Sequence, residues 1–96
     1  MTEIVWSKLA DKDLDNIHDY IAKDSLFYAE QTIDQIIKRV DQLINFPESG
    51  REVPEFSDKT LKELIEGNYR IVYRIRKNKI SIARVHHSSR DLSSNI

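Results

Sequence analysis

The period of the hydrophobic residues changes once along the chain, and this change constrains the fold more than any other feature. Between residues 26 and 45, apolar side chains recur at the three- and four-residue spacing of an amphipathic α-helix. Beyond residue 60 they alternate with polar side chains, which is the period of a half-buried β-strand. The chain is therefore predicted to place helices first and an antiparallel sheet after them.

The first half of the chain is predicted to contain one strand and two helices. Residues 3–7 are mostly β-branched or aromatic, which favours a short strand. Serines in capping positions predict helices over residues 8–22 and 26–45, and Pro47 ends the second because the residue before a proline disfavours helical geometry. The short turn between the helices favours an antiparallel helical hairpin.

The second half is predicted to form a three-stranded antiparallel β-meander. Residues 46–60 contain both prolines and one of the two glycines, which predicts an irregular loop. Strands joined by two-residue turns are expected over residues 61–66, 69–76 and 79–86. The predicted fold class is therefore α+β, with an N-terminal strand, a helical hairpin and a β-meander in a single domain over residues 1–96.

A two-residue turn at Lys77 and Asn78 would fix the register of the last two strands and give the meander two faces. The predicted core face comprises Ile71, Tyr73, Ile75, Ile80 and Ile82. The opposite face, called the cationic face below, comprises Arg70, Val72, Arg74, Arg76, Lys79, Ser81, Ala83 and Val85. Such a face can receive an acidic strand or amphipathic segment, and the alternative is an ordinary water-exposed face of a sheet.

Charge and composition exclude several classes of protein. The formal net charge is −1, but residues 1–48 hold five basic and ten acidic side chains while residues 49–96 hold ten basic and six acidic ones. A basic second half suits an anionic partner. The chain has no cysteine, which excludes disulfides, thiolate zinc sites and a cysteine nucleophile. Neither a signal peptide nor a membrane span is recognised, so a cytoplasmic protein without membrane contact is expected.

The histidines offer acid–base chemistry but no metal site. His86 and His87 are adjacent, so on a strand their side chains point to opposite faces and cannot chelate one ion together. Either imidazole can act as a general acid or base near neutral pH. No metal and no cofactor is therefore predicted.

Three arginines are candidates for binding phosphate. Arg70, Arg74 and Arg90 can each form bidentate hydrogen bonds to a phosphate group. The alternative is that Arg70 and Arg90 only brace the sheet, by pairing with nearby carboxylates. The candidate partners are Glu63, Glu66 and Asp91.

Four motifs occur in order along nearly the whole chain. They are Trp6-Ser7, Pro47-Glu48-Ser49-Gly50-Arg51, Tyr69-Arg70-Ile71-Val72-Tyr73 and His87-Ser88-Ser89-Arg90-Asp91-Leu92. Together with the order of the elements, they resemble the RelE/ParE superfamily, the toxins of type II toxin–antitoxin pairs. The last motif resembles the ParE-like branch.

The resemblance implies one of two activities. RelE-like members are ribosome-dependent mRNA endonucleases, and on that branch the catalytic candidates are Arg70, His86, His87 and Arg90. ParE-like members inhibit DNA gyrase and are not hydrolases. The RelE pattern is incomplete here. RelE-like members are expected to carry paired lysines on the strand before Tyr69, but Lys62 is followed by Glu63, and no tyrosine follows Tyr73. The sequence is therefore interpreted as ParE-like.

The same resemblance implies a plasmid-stabilising toxin that a cognate antitoxin neutralises by wrapping an acidic segment around it. The expected target is DNA gyrase, with the ribosome and its mRNA as the alternative. A third possibility is a non-toxic homologue that only binds antitoxin. The residues expected to contact the antitoxin or the target are Arg70, Arg74, Arg76, Lys79 and Arg90.

Overall fold

A computed structural model describes residues 2–88 and contains the predicted succession of elements. The expected roles of Arg90 fall outside these residues. The elements are β1 (Glu3–Trp6), α1 (Lys8–Ala22), α2 (Leu26–Asp41), a 3₁₀ turn (Gln42–Ile44), β2 (Arg51–Glu52), β3 (Leu61–Glu66), β4 (Tyr69–Arg76) and β5 (Lys79–His87).

Serine caps begin both helices, as predicted. The Ser7 hydroxyl accepts a hydrogen bond from the Ala10 N–H at 3.0 Å, and Ser25 does the same for the Tyr28 N–H at 3.2 Å. Helix α1 has the predicted bounds, whereas α2 ends at Asp41 instead of residue 45 because its last turn tightens into the 3₁₀ turn. The two helices pack against each other and against the sheet.

The sheet has five strands in the order β1-β5-β4-β3-β2. Strands β3, β4 and β5 form the predicted antiparallel meander. Each edge of the meander gains a strand, because β1 pairs in parallel with β5 and the two-residue β2 pairs with β3. The meander is thus the centre of a wider sheet.

The predicted register of the β4–β5 hairpin is confirmed near its turn. Ile75 pairs with Ile80 and Tyr73 pairs with Ile82, so all four side chains belong to the core face. The turn between the strands carries Lys77 with a φ of 52°, in the left-handed region that a lysine rarely adopts.

A β-bulge changes the faces in the second half of β5. Val72 pairs with Arg84 and Ile71 with Val85, which leaves Ala83 as an additional residue in β5. Val85 therefore joins the main core, and the prediction that it lies on the cationic face is wrong. The reason is geometric, since one inserted residue reverses the alternation for every residue after it.

Apolar side chains are buried on both faces of the sheet. The main core, between the helices and the sheet, comprises Ala10, Ile36, Val40, Leu43, Leu64, Ile71, Tyr73, Ile80, Ile82 and Val85. A second cluster on the opposite face comprises Val53, Leu61 and Val72, with Phe56 and Ala83 packed against it. No helix within residues 2–88 is long and apolar enough to cross a membrane.

Candidate functional site

The loop between β2 and β3 covers much of the predicted cationic face. Val53 and Phe56 from this loop pack on Val72 of β4. Arg70 of the same strand is only 5% exposed, so the prediction that its guanidinium stands in solvent is wrong. An irregular loop has no hydrophobic period, and its position over the sheet therefore could not be predicted from the sequence.

Two carboxylates enclose the guanidinium of Arg70. Its Nε donates to Glu63 Oε1 at 2.7 Å, and its two terminal nitrogens donate to the two oxygens of Glu55 at 2.7 Å each. Glu63 is fully buried and also accepts a hydrogen bond from Arg51 Nε at 2.7 Å. We call these four residues the arginine–carboxylate cluster.

Hydrogen bonding to Glu55 raises the pKa of Arg70 further above its ordinary value, and the bond to Glu63 acts in the same direction. The guanidinium therefore stays charged at any pH at which the protein folds. The pairing of Arg70 with Glu63 is the bracing arrangement that the sequence allowed as an alternative. The contribution of Glu55 was not predicted, because it comes from the irregular loop.

Arg74 lies four residues beyond Arg70 on β4 and is also paired with the loop. Its Nη1 donates to Asp58 Oδ2 at 2.8 Å and to the Thr60 hydroxyl at 2.7 Å. Asp58 also accepts hydrogen bonds from the Thr60 hydroxyl at 2.7 Å and the Thr60 N–H at 2.9 Å. These hydrogen bonds, the one from the Thr60 hydroxyl first, lower the pKa of Asp58 from its ordinary value of 3.8 to about 2.

This shift predicts an acid-sensitive attachment of the loop. Because the pKa of Asp58 is lower in the folded state, its contribution to stability is present above about pH 4 and is lost as the pH falls towards 2. We expect Asp58→Asn to lose less stability than the wild type over that interval, measured as the urea midpoint. Asn16→Ala, a change of an exposed side chain that does not titrate, is the control and should keep the wild-type slope. Parallel slopes for Asp58→Asn and the wild type would contradict this assignment.

The cations of the predicted cationic face that remain exposed lie at the end of the β4–β5 hairpin. Arg76, Lys77 and Lys79 are exposed, and Lys59 is brought near by the hydrogen bond from the Ile75 N–H to the Thr60 carbonyl at 3.0 Å. Within residues 2–88 none of these four cations makes an ion pair. We call them the cationic tip. Of the predicted binding residues, Arg76 and Lys79 thus remain accessible.

The two histidines lie on opposite faces of β5, as predicted. His86 is 3% exposed and is the cross-strand partner of Arg70, whereas His87 is exposed and packs edge-on against Tyr69 with ring centroids 6.0 Å apart. Beside the histidines lies an open groove of about 380 Å³. Its wall opposite the sheet is formed by residues of α1, among them Tyr20. Among residues 2–88, no group of three potential ligands could hold a metal ion.

A second ion pair, partly buried and not predicted from the sequence, ties α1 to β5. Asp13 of α1 accepts hydrogen bonds from Arg84 Nε and from the Val85 N–H, each at 2.9 Å. Hydrogen bonding to Asp13 also raises the pKa of Arg84. Since the two residues come from opposite halves of the chain, no local pattern connects them.

The fold is shared with solved toxin structures. A chain of the chromosomal ParDE toxin–antitoxin system from P. aeruginosa superposes with a TM-score of 0.76 at 23% identity, over 91% of this chain and 96% of that one. YafQ from E. coli BL21(DE3) superposes with a TM-score of 0.65 at 14% identity, over 93% and 96% of the two chains. The α+β architecture is therefore that of the RelE/ParE toxins.

Sequence comparison identifies the family. Residues 4–92 match the family described as ParE toxin of type II toxin-antitoxin system, parDE, and the chain belongs to this family. The chain is also 32% identical over 91 residues to Toxin RelE2 of Caulobacter vibrioides, covering 94% of this chain and 99% of that protein. The resemblance drawn from the four motifs is confirmed.

Proposed function

We propose that this protein is a toxin that inhibits DNA gyrase and is neutralised by a cognate antitoxin. The observation that carries the choice of gyrase over mRNA cleavage is the state of Arg70. On the RelE-like branch this arginine would bind the scissile phosphate, but here its guanidinium is buried and both carboxylate oxygens of Glu55 occupy its terminal nitrogens. A phosphate would first have to displace Glu55 and uncover the site.

The distribution of charge supports the same choice. A protein that binds RNA on the ribosome gains most of its affinity from cations that contact phosphates. Here Arg51, Arg70 and Arg74 of the sheet are bonded to carboxylates of the same chain, and the helical half carries an excess of acidic side chains. The cationic tip offers four exposed positive charges close together, and a ParE-like toxin uses no phosphate-binding catalytic site.

A supercoiling assay with purified gyrase and relaxed plasmid tests the proposal. We expect the toxin to block supercoiling and its antitoxin, added first, to restore it. Primer extension on a translated mRNA is the companion assay and should show no new ends. Cleaved mRNA together with undisturbed supercoiling would support the endonuclease alternative, and a negative result in both assays would support the non-toxic homologue.

The antitoxin is proposed to contact the cationic tip. The P. aeruginosa structural neighbour belongs to a ParDE toxin–antitoxin system, and a partner of this kind is expected to bring an acidic segment. Arg76 and Lys79 are the predicted binding residues that are exposed and make no ion pair within residues 2–88, so they can pair with its carboxylates. Arg74 could join them only by exchanging Asp58 for a partner carboxylate.

Charge reversal measures the contribution of the cationic tip. We expect Arg76→Glu/Lys79→Glu to weaken antitoxin binding at least tenfold at low salt, and by less at high salt because screening reduces the interaction of exposed charges. Titration calorimetry at two ionic strengths is the measurement. Lys8→Glu/Lys12→Glu changes the net charge equally at two exposed positions on α1 and should leave the affinity nearly unchanged. Equal losses in the two variants would show only a general charge effect.

A further inference from the structure

Four large apolar side chains are exposed where α1 and α2 are joined. They are Tyr20, Leu26, Phe27 and Tyr28, and they are 73%, 57%, 68% and 62% exposed. The rings of Phe27 and Tyr28 meet edge to face with their centroids 5.4 Å apart. We call these four residues the aromatic end. Leu26 and Phe27 line one groove and Phe27 contacts Tyr28, and exposed apolar patches of this kind are typical of surfaces that bind other proteins.

Packing within the fold does not explain why these exposed side chains are apolar. The buried face of α2 is provided by Ala29, Ile36 and Val40, and the start of the helix is fixed by the Ser25 cap. Three consecutive large apolar residues at the first turn stay more than half exposed and belong to neither buried cluster. Their hydrophobic character therefore points to contact with another molecule.

Acidic side chains surround the aromatic end. An open groove of about 500 Å³ is lined by Leu26 and Phe27 together with Glu30, Gln31 and Asp34. Asp19 and Asp24 are exposed at the same end of the helical pair, where Lys23, 6.0 Å from the centre of the Tyr20 ring, is the nearby cation. A complementary surface would present apolar side chains bordered by lysine or arginine.

The acidic border of the aromatic end argues against two other binding partners, the antitoxin and a second copy of the chain. The acidic antitoxin segment expected at the cationic tip would place carboxylates against Glu30 and Asp34. A symmetric dimer would bring the same acidic border against its own copy, because a twofold interface uses one patch twice. Both arrangements oppose like charges, whereas a basic partner surface does not.

We propose that the aromatic end is the surface by which the toxin docks on gyrase, against an apolar patch of the enzyme that lysine or arginine side chains border. The inference rests on the proposed function, since it names the target of that function. It divides the molecule into two binding surfaces of opposite charge. The acidic aromatic end serves the target and the cationic tip serves the antitoxin.

The test compares two kinds of variant in the supercoiling assay. Phe27→Ala/Tyr28→Ala removes the apolar contact, and Glu30→Lys/Asp34→Lys reverses the charge beside it. We expect each to raise the toxin concentration needed for half-inhibition at least tenfold, while the affinity for the antitoxin changes less than threefold. Phe46→Ala is the matched control, because Phe46 is 64% exposed outside the aromatic end, and it should inhibit like the wild type.

The outcomes distinguish this inference from the proposed function. If the wild type inhibits gyrase and both double variants inhibit it equally well, the docking surface lies elsewhere while the proposed function stands. If Phe27→Ala/Tyr28→Ala loses antitoxin affinity as much as inhibition, the antitoxin occupies the aromatic end and the inference is overturned. If the wild type leaves supercoiling intact, the proposed function fails and the inference fails with it. Circular dichroism of every variant verifies that the fold is retained.

Discussion

Replacing Arg70 with alanine is expected to lower the free energy of unfolding by about 3–5 kcal/mol, the cost of removing one partner from a buried ion pair. Glu63, fully buried, would keep only Arg51, whose side chain is 61% exposed. Glu55 would lose its bidentate partner at the same time. Because about 1 kcal/mol shifts the Tm of a domain this small by about 4–8 °C, Tm should fall by about 12–40 °C.

Urea denaturation of the purified protein measures this effect. Arg76→Ala is the matched control on the same strand, because Arg76 is exposed and makes no ion pair within residues 2–88, and it should change stability by less than about 0.5 kcal/mol. Adding Glu63→Gln to Arg70→Ala should recover part of the loss, since the remaining buried charge is neutralised. A loss below about 1 kcal/mol in Arg70→Ala would contradict the buried position of the guanidinium.

Gly50→Ala is expected to destabilise the protein by about 1–3 kcal/mol through overpacking. A Cβ at this position would overlap the Tyr73 hydroxyl and would lie 2.7 Å from the carbonyl oxygen of Glu63. The glycine is held there because its N–H donates to the Tyr73 hydroxyl at 2.9 Å, while that hydroxyl donates to the Pro47 carbonyl at 3.0 Å. The close approach explains the glycine of the Pro47–Arg51 motif.

A double-mutant cycle with Tyr73→Phe tests whether the hydroxyl is the obstacle. Phenylalanine removes the oxygen that the new methyl group overlaps, so Gly50→Ala should cost less in that background, with a coupling of about 0.5–3 kcal/mol. Thermal denaturation of the four proteins provides the cycle. Ser49→Ala, one residue earlier in the loop, is the control and should behave alike in both backgrounds. Strict additivity of Gly50→Ala and Tyr73→Phe would show that the hydroxyl is not the obstacle and would leave the Glu63 carbonyl and the Tyr73 ring as the groups that the methyl group meets.

Local pattern sufficed to predict the regular elements of the fold. The bounds of α1 follow from Ser7 and the apolar period, and the register of the β4–β5 turn follows from the alternation around Lys77 and Asn78. The bulge at Ala83 could not be predicted, because a small residue fits either face of a strand and leaves the alternation ambiguous. The error for Val85 is its direct result.

The candidate site was less predictable because its geometry depends on a loop. The sequence indicated that Arg70 could pair with Glu63, which is a neighbour across β3 and β4. It did not indicate that Glu55 would complete the cluster or that Val53 would pack with Val72 on the same face of the sheet, since both residues come from a segment without periodicity. An exposed strand face in a predicted meander can thus be covered by a loop that only the tertiary structure reveals.

The parallel pairing of β1 with β5 joins the beginning of the fold to its end. The Ser7 hydroxyl also donates to the Ala83 carbonyl at 2.9 Å, so the entry into α1 is fixed by a strand residue that is synthesised 76 residues later. A nascent chain cannot complete this sheet until β5 has left the exit tunnel, which takes several seconds at about 5–20 residues per second. Until then the sheet lacks the strand that pairs with both β1 and β4, so a polypeptide that ends before β5 is not expected to fold.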